Sequence, residues 1–203
     1  MFGFGLVAIF TLVMTGIDYY SNPDDYVVQF NLIPFLIMAV IAILLIPLQT
    51  SMEEYFFRGY LMQGIGALVK NRWVPLIVTS VIFGLLHIAN PEVDKLGPII
   101  MVYYIGTGLF LGIITLMDEG MELALGFHAA NNLIGVILVT ADWTVFQTNS
   151  LLKDVSEPEV GIDILIPVLI IYPLFLYIMS RKYNWSDWKE KLTGRIEEPS
   201  VIE

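Results

Sequence analysis

The sequence predicts an all-α fold: a polytopic membrane helix bundle of about six transmembrane helices, plus a glutamate-bearing helix that is tilted or re-entrant. Three observations predict it. Hydrophobic residues make up 57% of the 203 positions, where a soluble domain has roughly 45–50%, and the mean hydropathy is +0.74. Apolar stretches recur at the length of about 20 residues that a bilayer crossing needs. Lipid cannot hydrogen-bond a backbone, so segments of this length inside it must be helical.

In chain order the expected spans are 2–17, 31–48, 73–89, 97–117, 123–141 and 162–180. The first has neither a basic leading region nor a small-residue cleavage site, so it reads as a span and not as a signal peptide. The second runs almost directly into an apolar glutamate-bearing stretch, 51–69. Together they exceed one straight crossing at about 1.5 Å per residue, so the helix is either steeply tilted or broken. Pro47, which removes a helical hydrogen bond, is the expected break. In the fourth span, Gly108 and Gly112 form a small-x-x-x-small pattern that lets two helices approach closely. No repeat, linker or low-complexity run appears, so 1–203 reads as one membrane domain with a tail at 181–203.

Loop charges set an orientation. The 18–30 connection carries Asp18, Asp24 and Asp25 and no basic residue, and 142–161 has several acids against Lys153. Basic residues gather at Lys70 and Arg72 and in the tail from Arg181 and Lys182 onward. Positively charged loops stay in the cytoplasm, so both termini are expected there, in a multi-pass protein of the plasma membrane. Tyr103, Tyr104, Tyr183, Trp185 and Trp188 fit interfacial anchors. The formal charge of −10 argues against a nucleic-acid partner, which needs a basic face. With no cysteine, disulfides and thiolate metal sites are excluded.

Against this background, Glu53-Glu54-x-x-x-Arg58 stands out, because ionisable groups at membrane depth cost roughly 2.5–3.5 kcal/mol each. Glu54 and Arg58 are four apart and can pair along one helical face. Glu53 points about 100° away and is expected to have no partner within the helix. A carboxylate without a partner in apolar surroundings is the kind of group that serves as a general base. The chain's two histidines, His87 and His128, both fall in spans. His128 and Asn132, four apart, can aim two donors at one point, as a developing oxyanion requires. Asn131 lies off that face. The polar cluster is expected to open to water from the cytoplasmic half.

The three motifs Glu-Glu-x-x-x-Arg at 53–58, Phe-x-x-x-His at 83–87 and His-x-x-x-Asn at 128–132 occur in this order, each in an apolar segment. Together they resemble the CPBP family, which comprises the CAAX prenyl proteases of the Ras-converting type, the bacteriocin-processing and immunity proteins, and their relatives, also called the Abi family. The resemblance covers roughly 46–137. It implies an intramembrane endopeptidase acting on a protein or peptide substrate, membrane-anchored or prenylated, with the lipid bilayer as its other partner and no cofactor. Carried over by position, Glu53 is the catalytic glutamate and His87 helps it activate water. His128 and Asn132 form the oxyanion hole, while Glu54 and Arg58 brace the Glu helix. Members carry further helices before the Glu motif, so a truncated N-terminus is implied. Two alternatives stay open: a metalloprotease in which Glu53, His87 and His128 ligate Zn2+, and a non-catalytic immunity protein that binds a partner.

Overall fold

A computed structural model of the chain describes residues 1–158 and 161–196; positions 197–203 of the expected tail and 159–160 of the last acidic loop lie outside the described residues. Helices dominate. α1 spans Phe2–Ser21, α2 Leu32–Glu54, α3 Met62–Val69, α4 Trp73–Leu85 and α5 Pro91–Leu96. They are followed by α6 at Ile100–Asp118, α7 at Glu122–Leu138, α8 at Tyr172–Tyr183 and α9 at Trp188–Thr193. Among the described residues, three helical stretches are long and apolar enough to cross a bilayer: Phe2–Ser21, Leu32–Val69 and Ile100–Asp118. α4 and α7 are shorter apolar helices.

Pro47 does not break the second span. It sits inside α2, and a wide π-helical turn at Tyr55–Leu61 joins α2 to α3, making one helical stretch of 38 residues. At about 1.5 Å per residue this is roughly 57 Å of helix, nearly twice the hydrocarbon thickness of about 30 Å. Proline is tolerated in such a helix when local groups compensate for the lost bond. Helix widening of this kind occurs frequently at functional sites, and here it follows directly on Glu53 and Glu54.

The all-α expectation misses a small sheet. β1 (Tyr26–Val28), β2 (Val139–Ala141) and β3 (Leu152–Asp154) are ordered β1-β3-β2, with β1 antiparallel and β2 parallel to β3. Val27 faces Lys153 in one ladder and Thr140 faces Lys153 in the other. The sheet ties the connection after α1 to the segment after α7. α7 therefore ends at Leu138, three residues before the expected limit, and the chain turns into β2. Strands this short carry too little alternation to stand out within apolar runs.

α1 and α2 pack against α7, and α4 against α6. The α4–α6 contact is close because glycine leaves room for it. A Cβ on Gly108 would lie 2.9 Å from the Ser80 carbonyl oxygen and 3.0 Å from its Cα, and one on Gly112 would lie 2.5 Å from Leu76 Cδ1. The core gathers Phe57, Phe83, Phe110, Phe127, Phe175 and Tyr172 with Leu111, Ile114 and Met179, all buried.

Candidate active site

The glutamate pair divides according to its helical phase. Glu54 faces the bundle and is fully buried, whereas the Glu53 side chain is 29% exposed and lines a cavity. Arg58, four residues on from Glu54, donates from Nη1 to Glu54 Oε1 at 3.0 Å and from Nη2 to the Gly108 carbonyl at 3.0 Å. The guanidinium also lies 4.7 Å from the centre of the Phe83 ring, within reach of a cation–π contact. One charged pair thus joins the Glu helix to α6 at Gly108, the glycine that packs against Ser80 of α4.

Glu53 has a partner that the sequence reading did not assign. The Gln49 amide, four residues before it on the same face, donates to Glu53 Oε1. The signal was the same i, i+4 spacing that picked out Glu54 and Arg58.

The histidines meet through Phe83. His87 lies beyond the end of α4, which stops at Leu85 instead of running to the expected 89. Tight turns hold it there, its backbone N–H bonding to the Gly84 carbonyl at 2.9 Å. Its Nδ1–H donates to the Phe83 carbonyl at 2.8 Å, which leaves Nε2 as an acceptor. The His87 ring centre is 5.0 Å from that of Phe83, and the His128 ring centre is 5.8 Å from it on another side. Two spans drawn end to end would keep the histidines apart. The shortness of α4 brings both to the level of Phe83.

His128, from α7, is buried between the two glutamates. Its Nδ1–H donates to Glu54 Oε1 at 2.7 Å, and Nε2 stands 3.7 Å from Glu53 Oε2. One oxygen of Glu54 therefore receives both Arg58 and His128. One turn further along α7, Asn131 Nδ2 donates to Asn132 Oδ1 at 3.2 Å, occupying the Asn132 oxygen and leaving its amide nitrogen for other partners. Asn131, off the face expected to carry chemistry, thus orients its neighbour.

Glu53, His87, His128, Asn131 and Asn132 line one cavity of about 860 Å³, together with Gln49, Tyr103 and Tyr104. Its floor is the buried aromatic group Phe57, Phe83 and Phe127. Its other end is formed by Asn90, Glu92 and the segment from Trp143 to Phe146, where Val145 and Phe146 are exposed. Tyr103 and Tyr104, which by sequence fit interfacial anchors, both line this cavity. Tyr104 stacks on His87 with ring centres 4.5 Å apart and planes 22° from parallel, and its hydroxyl accepts from Asn90 at 3.4 Å. Among the described residues, no three His, Cys, Asp or Glu side chains gather in a way that could hold a metal ion. Glu53, His87 and His128 do not form such a group.

Comparison with known proteins agrees with the motifs. The chain is 36% identical over 146 residues to the uncharacterized protein YyaK of Bacillus subtilis, an alignment covering 70% of this chain and 49% of that protein. The chain thus spans about half the length of this curated relative. No solved structure matches it. Residues 31–134, which include all three motifs, match the family described as type II CAAX prenyl endopeptidase, Rce1-like. The chain belongs to that Rce1-like family of membrane proteases.

Proposed function

We propose that the chain is an intramembrane endopeptidase whose water-activating base is Glu53. The observation that carries the reading is the division of labour between adjacent carboxylates: Glu54 is consumed by Arg58 and His128, while Glu53 faces a cavity lined by both histidines and Asn132. A carboxylate positioned this way can take a proton from a water in the cavity. The His87 Nε2, free because Nδ1 is committed to the Phe83 carbonyl, is the second acceptor that orients that water. The hydroxide adds to the scissile carbonyl, and the negative charge moves to the carbonyl oxygen.

Asn132 Nδ2–H is one donor for that oxyanion. His128 becomes a donor from Nε2 once it carries a second proton, and protonated Glu53, 3.7 Å away, is the group that can supply it. Glu54 on Nδ1 offsets the charge that the ring then bears. Collapse of the tetrahedral intermediate expels the amine, which takes that proton as it leaves. One oxyanion donor contributes roughly 3–4 kcal/mol to lowering the barrier. The largely apolar lining suits a polypeptide held at the membrane by a span or a prenyl chain.

The test is Glu53→Gln. Peptide cleavage by the purified protein in detergent should fall to background while thermal unfolding and expression stay at wild-type values. Wild-type turnover by this variant would remove Glu53 from the reaction. An immunity protein that only binds a partner would retain its protective effect in the same variant.

A further inference from the structure

We infer that the cavity opens on the non-cytoplasmic face of the membrane, so the peptide it takes is the extracytoplasmic flank of a membrane-anchored polypeptide. This rests on the endopeptidase reading for the word peptide, but not for the side.

The two ends of the bundle differ in charge, and the structure fixes which parts belong to each end. At one end, backbone bonds tie the turn after α3 to the stretch after α9: Ile196 N–H to the Lys70 carbonyl at 3.1 Å, and Arg72 N–H to the Gly194 carbonyl at 3.1 Å. Lys191 Nζ reaches the Met117 carbonyl at 3.1 Å, bringing the α6–α7 turn to the same end. At the other end, the sheet joins the α1–α2 connection to the segment after α7. There Val145 N–H donates to Glu92 Oε1 at 2.8 Å, adding the α4–α6 connection.

The chain has ten Lys and Arg residues. Arg58 is buried in the site, and Lys95 and Lys153 lie at the sheet end. The other seven are at the opposite end, in the turn after α3 and from the end of α8 onward. The positive-inside rule counts Lys and Arg in short loops and gives acids little weight, so the seven-to-two split puts the sheet end outside. The cavity belongs to that end: its rim is Asn90, Glu92 and the Trp143–Phe146 segment, while Phe57, Phe83 and Phe127 close it off from the basic end. A scissile bond reaching Glu53 therefore enters from outside the cytoplasm or laterally from the lipid beside exposed Gln49 and Leu45.

The chain has no cysteine, which gives a clean background for accessibility labelling. Single variants Ser21→Cys and Gln147→Cys at the sheet end, and Ser186→Cys at the basic end, replace exposed residues outside the catalytic set. Each is expressed in a bacterial host and treated with a membrane-impermeant maleimide, with labelling in SDS as the reference for each. Ser21→Cys and Gln147→Cys should label in intact cells, whereas Ser186→Cys should stay unlabelled until the cells are permeabilised. The reverse pattern, or equal labelling of all three in intact cells, overturns the inference. Labelling does not depend on turnover, so an inactive wild type with the expected labelling sinks the endopeptidase reading alone.

Discussion

Replacing Glu54 with glutamine preserves volume and removes one buried charge. Glu54 is 0% and Arg58 1% exposed, and they meet at 3.0 Å with no water-accessible surface to absorb an imbalance. In Glu54→Gln the guanidinium keeps its bond to the Gly108 carbonyl but becomes an uncompensated buried cation. Breaking a buried pair from one side costs about 3–5 kcal/mol. At roughly 2–4 °C per kcal/mol for a chain of this size, the melting temperature should fall by roughly 6–20 °C. Arg58→Met added to Glu54→Gln removes the stranded charge, and replacing both members of such a pair with neutral groups of similar volume is often close to neutral. The double variant should therefore melt well above the single one. The assay is thermal unfolding of purified protein in detergent, followed by circular dichroism. A single variant melting within about 2 °C of wild type, or a double variant melting below it, would refute the claim that Glu54 and Arg58 hold the site together.

Other perturbations test the remaining parts. Gln49→Leu removes the donor to Glu53 from an exposed position. The bond fixes the direction of the Glu53 carboxylate, so kcat should fall while expression is retained; a variant as active as wild type would show that Gln49 does not orient the base. Gly108→Ala places a methyl 2.9 Å from the Ser80 carbonyl oxygen, against backbone that cannot swing aside. Overpacking of this kind costs about 1–3 kcal/mol, so a lower melting temperature is expected, and an unchanged one would mean that α4 and α6 can separate freely.

Much of the site was legible because its logic is local. Helical spacing alone pairs Glu54 with Arg58 and turns Glu53 away from them, and both features hold in the structure. The i, i+4 rule would have found Gln49 as well, had it been applied backward from Glu53. What spacing cannot give is contact between helices. The sequence offers no means to see that the Glu54 oxygen binding Arg58 also binds His128, seventy-four residues on. Tyr104 reads as an interfacial anchor because an aromatic near the end of an apolar run is usually one; its stack on His87 depends on how α6 lies against the turns after α4. The sheet was invisible for a similar reason, its three strands gaining their partners only from distant segments. Pro47 stays inside α2 because a backbone in lipid has no alternative to helix, a constraint that an isolated helix in water does not have.

The phenylalanine of the Phe-x-x-x-His motif has a physical reason in this arrangement. Phe83 offers its carbonyl to His87 and its ring to Arg58, to Phe57 at 5.4 Å and to His128. A smaller side chain there would still allow α4 to form, because the helix is set by backbone bonds. It would take from the guanidinium the nearer of its two aromatic faces, leaving Phe57 at 5.7 Å, and remove a ring that both histidines touch. The three motifs are therefore a single packed unit: a buried ion pair on the Glu helix, an aromatic spacer on α4 and an imidazole on α7. Each supplies what the other two lack for burial, and Glu53, the other carboxylate of the pair, is left facing the cavity.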